Sequence, residues 1–216
     1  MTKRRDIRRY YYDMEPVYQK IEQDGDLGWP VESVGCFQFL IKWVKEEVFR
    51  PGVRLLEIGC GGGELALIIS KRDNLIVEAC DFSETAIKIC QKKDPPQNLT
   101  FFVANAMTHR GFPNPPYDYI IANQFFQGII GGDRLFFLKR VRENLSHDGV
   151  AIISTMLGIP SSMQNEFNPV TRVNSGNTIF FADMAMFADE LSKSHLKAIR
   201  HIKVDEYYKI FFLVKS

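Results

Sequence analysis

Glycines and acidic residues in the middle of the chain have the types and spacing needed to hold a nucleotide. The glycines lie within five positions: Gly59, Gly61, Gly62 and Gly63. Glycine permits a tight turn and lets a ligand approach the backbone, and a helix starting at such a turn presents free N–H groups to an anion. The segment is therefore interpreted as a nucleotide-cradling loop rather than a simple connection.

A strand and a helix would position these glycines. The apolar run 53–58 follows the turn signal Pro51-Gly52 and predicts a buried strand. From 65 to about 71 the apolar residues follow helical spacing. The order is therefore strand, glycine-rich turn, helix.

The glycines fit two cofactor patterns. Residues 61–66 fit the G-x-G-x-x-G/A dinucleotide fingerprint, with an acidic residue about twenty positions on. The longer string 57–63 places Glu57 before G-x-G-x-G, and it resembles the first motif of class I S-adenosylmethionine-dependent methyltransferases. Glu64 stands where a dinucleotide loop starting at Gly59 needs a small residue, so the methyltransferase interpretation is preferred.

The resemblance implies a cofactor and a set of residues that bind it. In the family, the acidic side chain orients the methionine end and the loop backbone cradles it. The expected cofactor is S-adenosyl-L-methionine, with S-adenosyl-L-homocysteine as product. The loop residues assigned to it are Glu57, Gly59, Cys60, Gly61 and Gly63.

Asp81 ends the second predicted strand, 74–81. A carboxylate at the end of this strand can accept hydrogen bonds from both ribose hydroxyls of a nucleoside. Capping the next helix is the alternative, and Asp81 could do both. The resemblance places Phe82 on the adenine face and adenine contacts at Asn105 and Ala106. The family commonly has Asp where this chain has Asn105, but the Asn amide oxygen can also accept a hydrogen bond from the adenine amino group.

The fourth predicted strand, 117–122, ends where ligands bind in open α/β sheets. Asn123 is assigned to the cofactor site. Phe125 and Phe126 are interpreted as walls of the substrate pocket, with a core position for one of them as the alternative.

The predicted chemistry needs little from the protein beyond positioning. The sulfonium is an activated donor, so proximity and orientation supply much of the acceleration. An oxygen or protonated nitrogen acceptor would also need a base. Family members often carry a His near the position of Gln127, and His109 and His147 are interpreted as surface loop residues. No catalytic residue is therefore named.

The helix predicted between the fourth and fifth strands has one apolar face. That face comprises Leu135, Phe136, Leu138, Val141 and Leu145. The residues predicted to lie outside are Lys139, Arg140, Arg142 and Glu143. His147-Asp148-Gly149 predicts a turn, and the fifth strand is predicted over 149–156.

The segments after the fifth predicted strand indicate how the sheet ends. After five βα units come a helix over 183–193 and two strands over 196–204 and 207–214. This closing hairpin resembles the family's reversed seventh strand and is not expected of an ordinary dinucleotide fold. The irregular segment 157–177 is interpreted as a substrate-side cover. The prediction is an α/β protein with a doubly wound, seven-stranded, mainly parallel sheet whose last strand is antiparallel.

Residues 1–50 are predicted to form an N-terminal helical extension, and 51–216 the S-adenosylmethionine-binding domain. Such extensions roof the active site in small-molecule members of the family. The basic, tyrosine-rich start is interpreted as a solvated helix with aromatic anchors rather than a nucleic-acid arm. A helix is predicted over 31–49 with Ser33 as its cap. Trp29 is either a substrate-pocket residue or an anchor for its loop.

The net charge, the apolar runs and the cysteine spacing indicate which classes of partner to expect. The net charge of +1 over 216 residues argues against bulk attraction to nucleic acid or anionic membranes, and a small-molecule substrate is expected. The sequence has no apolar run that spans a bilayer and no signal-peptide core, so a cytoplasmic protein is expected. The cysteines lack metal-ligand spacing, which predicts free thiols and no metal site: Cys36, Cys60, Cys80 and Cys90.

The prediction is a methyltransferase acting on a small molecule, and other functions stay open. A NAD-dependent oxidoreductase would use Gly61, Gly63 and Asp81. A non-catalytic S-adenosylmethionine-binding scaffold is favoured by Asn105 and by the missing His. Residues 114–117 spell the N-P-P-Y of base-directed methyltransferases, but they precede the fourth strand instead of following it.

Overall fold

A computed structural model describes residues 14–24, 35–72, 74–107, 112–174 and 179–216. Trp29, Ser33 and His109, which the sequence analysis singled out, lie outside these ranges.

Seven strands form one sheet. They are β1 (Val53–Ile58), β2 (Leu75–Asp81), β3 (Leu99–Val103), β4 (Tyr117–Asn123), β5 (Leu145–Met156), β6 (Leu196–Lys203) and β7 (Tyr208–Lys215). Their order in the sheet is β3-β2-β1-β4-β5-β7-β6. The first five strands pair in parallel, whereas β7 is antiparallel to both β5 and β6. The predicted fold class, including the closing hairpin, is confirmed.

Helices cover both faces of the sheet. They are α1 (Glu15–Asp24), α2 (Gly35–Glu46), α3 (Glu64–Ile69), α4 (Glu84–Gln91), α5 (Gly132–Asn144) and α6 (Met184–Lys193), with 3-10 turns at Phe126–Gly128 and Ser161–Glu166. Residues of α2, α3 and α4 share one apolar cluster with the sheet, and residues of α5 and α6 share the other. No helix within the described ranges is both long and apolar enough to cross a membrane.

The apolar run of β1 follows from its central position. Leu55 and Leu56 are both fully buried, and they belong to the clusters on opposite faces. Successive side chains of a strand point to opposite faces, so a strand covered on both sides needs a continuous apolar run.

The inward face of α5 differs from the prediction. Phe137 is fully buried, whereas Phe136 is only partly buried. Arg140, predicted to lie outside, is 6% exposed. Its guanidinium lies 5.3 Å from the centre of the Phe112 ring. An arginine can enter an apolar layer this way because its planar cation stacks on aromatic faces.

Two boundaries also differ. The predicted turn at 147–149 lies inside β5, where the ladder to β4 is irregular between the Tyr117–Leu145 and Tyr119–Val150 pairs. The second helix ends at Glu46 rather than at residue 49. Phe49 lies in the loop after the helix, and its ring packs on Tyr119 in the core. Because this apolar residue fits the helical spacing, the sequence pattern placed the end of the helix too late.

Candidate functional site

The glycine-rich loop turns from β1 to α3 with neighbours pressed against it. Gly59 has φ of 75°, and a Cβ there would lie 2.3 Å from Cδ2 of Phe125. Gly61 has φ of 52°, and a Cβ there would lie 2.8 Å from the Tyr18 hydroxyl oxygen. Both positions require glycine because of conformation and close approach together. Gly63 is the N-cap residue of α3.

Asp81, at the end of β2, is hydrogen-bonded to this loop. Its Oδ2 accepts from the Gly61 N–H (3.0 Å) and its Oδ1 from the Ser83 N–H (3.0 Å). Burial raises the pKa of Asp81, while the bonds from Ser83 and Gly61 oppose the shift. The N-cap of α4 is Ser83, whose hydroxyl accepts from the Ala86 N–H (3.0 Å). The capping alternative for Asp81 is therefore wrong.

Glu57 lies within β1 and is 3% exposed. Its carboxyl group accepts a hydrogen bond from the backbone of Ala66. Among the described residues, its Oε2 is buried without a hydrogen-bond partner. Burial, reinforced by Cys90 and Glu64, raises the pKa of Glu57 well above its ordinary value. A buried polar atom without a partner is costly, and a ligand N–H would remove that cost.

Two residues that were not predicted as site residues also form hydrogen bonds with the glycine loop. The Cys90 thiol donates to the Gly61 carbonyl (3.2 Å), and so does the Cys60 thiol at 3.8 Å. The Lys93 ammonium donates to the Gly62 carbonyl (2.7 Å) and pairs with Glu64 (2.6 Å). Cys90 and Lys93 both lie about thirty residues beyond the loop and have no local sequence signal for this role.

The predicted adenine contacts lie at the same sheet edge. Val103, the last residue of β3, pairs in register with Asp81, and Asn105 and Ala106 follow shortly after. The Asn105 Oδ1 accepts from the Met107 N–H (2.8 Å), so the side chain forms a local turn. Phe82 is 42% exposed, as a residue that packs on a ligand face would be.

Asn123 is anchored to the neighbouring strand. Its Oδ1 accepts from the Ser154 hydroxyl (2.6 Å), which in turn accepts from the Gln124 N–H (2.7 Å). Burial raises the pKa of the Cys36 thiol, on α2, to about 11, and the neighbouring Ser154 and Gln124 oppose this shift. Ser154 and Cys36 were not predicted as site residues, and α2 therefore reaches the carboxyl ends of β4 and β5.

Phe126 is a core residue, which corrects its assignment to the substrate pocket. It is fully buried, and the guanidinium of Arg134 lies 3.8 Å from its ring centre. Phe125 is partly buried and packs on the glycine loop, so it alone of the pair stays a candidate.

Gln127 connects β5 to β7 at this edge. Its Nε2 donates to the Tyr208 hydroxyl (3.2 Å), and its Oε1 accepts from the Met156 N–H (3.1 Å). Burial raises the pKa of Tyr208, so its phenol stays protonated. The predicted surface residue His147 is exposed, with a side chain that is 96% accessible.

The described residues contain no group of three metal-ligating side chains. Their cysteines are all free and buried.

Comparisons with known proteins agree with this geometry. Residues 56–151 match the family described as "Methyltransferase domain". A ribosomal protein L11 methyltransferase from a Nitratiruptor species is 27% identical over 126 residues, which are 57% of this chain and 40% of the relative. A demethylmenaquinone methyltransferase from Lysinibacillus sphaericus is 26% identical over 145 residues, 64% of this chain and 61% of the relative. The chain thus spans less than two thirds of either relative.

A solved structure extends the likeness to nearly the whole fold. The CcbJ methyltransferase from Streptomyces caelestis superimposes with a TM-score of 0.69, covering 96% of this chain and 98% of its own, at 13% identity. The family match covers β1 to β5 in large part, including the glycine loop and Asp81. Residues 56–151 are therefore similar to a methyltransferase domain, and the strands and helices of this chain have the fold of the CcbJ methyltransferase.

Proposed function

We propose that this protein transfers the methyl group of S-adenosylmethionine to a small-molecule acceptor. The observation that carries the proposal is the pair of carboxyl groups at the glycine loop. Asp81 bridges the loop and the end of β2, and Glu57 keeps a buried oxygen without a partner among the described residues. The two acceptors match two of the donor-bearing parts of the cofactor, its ribose hydroxyls and its ammonium group.

Each of the candidate residues fits one part of the cofactor. Asp81 would hold the ribose, Glu57 the ammonium, and Phe82 the adenine face, with Asn105 and Ala106 at the adenine rim. Because Gly59 packs against Phe125, this ring would border both cofactor and acceptor. When bound, S-adenosylmethionine supplies an electrophilic methyl group on a sulfonium. The protein's part is to orient an acceptor toward that carbon and exclude water, which can account for much of the acceleration.

A small-molecule acceptor is favoured by the residues near the ends of β4, β5 and β7. Gln124, Gln127 and Tyr208 provide uncharged hydrogen-bonding groups, and Phe125 provides an aromatic surface. Uncharged polar groups beside apolar surface are typical of small-molecule pockets. The names of the relatives cover both acceptor classes, a ribosomal protein and a demethylmenaquinone.

Calorimetric titration with S-adenosylhomocysteine and, separately, with NADH tests the cofactor assignment. We expect micromolar binding of the first, weakened about tenfold or more by Asp81→Ala, because hydrogen bonds to a charged group are lost. Asp189→Ala removes an exposed carboxylate on α6 and serves as the matched control. Binding of NADH alone, or of neither ligand, would overturn the proposal.

A methyl-transfer assay then tests turnover and acceptor class. The protein is incubated with methyl-labelled S-adenosylmethionine and either a quinol panel or purified ribosomal protein. Label in a quinol supports the small-molecule acceptor, and label only in protein contradicts it. Cofactor binding without transfer to any acceptor would identify a scaffold.

A further inference from the structure

Helix α1 packs on α4 and reaches the glycine loop with one side chain. Tyr18 is its buried residue, 7% exposed, and packs with Ala86 and Ile89 of α4. Met14 and Ile21 add to the same small cluster. The hydroxyl end of Tyr18 reaches beyond this cluster and meets the loop.

Polar contacts fix the direction of α1 on α4. The Glu15 carboxylate accepts from the Ser83 hydroxyl (2.5 Å) and from the Thr85 hydroxyl. Lys92 pairs with Glu22 at the other end of the helix (2.5 Å). The contact is therefore anchored at both ends, and the position of Tyr18 between them is determined.

The Tyr18 hydroxyl is a hydrogen-bond donor next to the predicted methionine end of the cofactor. Its oxygen lies against Gly61, so close that a Cβ on this glycine would be only 2.8 Å away. Burial, together with the charges of Asp81, Cys60 and Glu64, raises the pKa of Tyr18 far above its ordinary value, so the phenol keeps its proton.

The cofactor has one anionic group, and that group requires a hydrogen-bond donor. Asp81 and Glu57 are acceptors and suit the ribose hydroxyls and the ammonium, which leaves the amino-acid carboxylate. The nearby cation, Lys93, is engaged by the Gly62 carbonyl and by Glu64. A neutral O–H donor forms a strong, charge-assisted bond with a carboxylate.

We propose that the Tyr18 hydroxyl donates a hydrogen bond to the amino-acid carboxylate of bound S-adenosylmethionine, which makes α1 part of the cofactor site. The inference rests on the proposed function, because it needs the cofactor to bind at the glycine loop. Tyr18 is then a binding residue supplied from outside the segment that matches the methyltransferase family.

The test removes the Tyr18 hydroxyl from the protein and the carboxylate from the ligand, separately and together. Affinities are measured by calorimetry, to millimolar ligand, for S-adenosylhomocysteine and for S-adenosyl-3-thiopropylamine, which lacks only the carboxylate. Tyr18→Phe keeps the ring and removes the hydroxyl. We expect it to weaken S-adenosylhomocysteine about tenfold, the size of a lost charged hydrogen bond, and to change the decarboxylated ligand less than about twofold.

Tyr119→Phe is the matched control, since it removes a hydroxyl from a partly buried tyrosine that packs on Trp43 and Phe49 instead of on the glycine loop. Equal losses for both ligands would place the hydroxyl on Asp81 or the ribose and overturn the inference, as would no loss for either. If the unsubstituted protein binds neither ligand, the proposed function itself fails, which is a distinct result.

Discussion

At the scale of single residues, Glu57 has an environment that disfavours the folded state and that we propose serves ligand binding. The side chain is almost completely buried, with acidic neighbours and one oxygen that has no partner in the described structure. Burying a carboxylate without full hydrogen bonding disfavours its charged form. Functional sites commonly keep such unfavourable groups because the ligand satisfies them.

The substitution Glu57→Gln should separate stability from binding. The pKa of Glu57 is raised in the folded state, so above its unfolded value of about 4.3 the native protein holds a proton that the unfolded chain releases. Stability should then fall as pH rises through this window. The glutamine amide cannot titrate, so we expect the variant to be more stable at pH 8 in urea unfolding, with a smaller gain at pH 5, and to bind S-adenosylhomocysteine more weakly.

Glu206→Gln is the control for that experiment, because it makes the same change of side chain at an exposed position. A Glu57→Gln variant less stable than the parent at pH 8 would contradict the assigned environment.

At the scale of elements, Arg134 joins α5, α6 and the 3-10 turn after β4. Its Nε and Nη2 donate to the Glu190 carboxylate (2.7 and 3.0 Å), and its Nη1 donates to the Phe126 carbonyl (3.1 Å). The guanidinium also lies over the Phe126 ring. This one side chain, 1% exposed, therefore fixes the turn that carries Phe125 to the glycine loop.

Arg134→Ala should cost about 3 kcal/mol of unfolding free energy, toward the lower end of the range for breaking a buried ion pair because Glu190 keeps some exposure. Urea denaturation measures the loss. The double variant Arg134→Met/Glu190→Leu should recover much of it, since no charge is left unpaired. A loss below about 1 kcal/mol in the single variant would show that the pair is not a structural anchor.

At the scale of the whole molecule, the sheet brings the site together from distant parts of the chain. The glycine loop follows β1, Asp81 ends β2, and Asn105 lies just beyond β3. The residues that we propose border the acceptor follow β4 and β5 or begin β7. A ligand spanning these elements should stabilise the fold as a unit.

We therefore expect S-adenosylhomocysteine at about a hundred times its Kd to raise the melting temperature by ~5–10 °C, from about 2.7 kcal/mol of binding linkage and the entropy of unfolding of a chain this size. Scanning calorimetry checks the shift, with NADH at equal concentration as the control. The assigned site would be contradicted by an equal shift with NADH, or by an undiminished shift in Asp81→Ala.

Much of the fold and part of the site could be predicted because their signals are local. The apolar run of β1, the glycines, and Asp81 at a strand end are each encoded within a few residues. The closing hairpin was likewise visible as two strands joined by a short turn, and the structure has it as β6 and β7.

What the sequence by itself determined is the order of elements and the residues at the strand ends. Only the tertiary structure decided that Tyr18 meets Gly61, that Ser154 holds Asn123, and that Phe126 is core while Phe125 is not. These contacts join residues far apart in the chain. Side-chain type and local spacing carry no information about them, because packing of the two helical layers on the sheet determines which side chains meet.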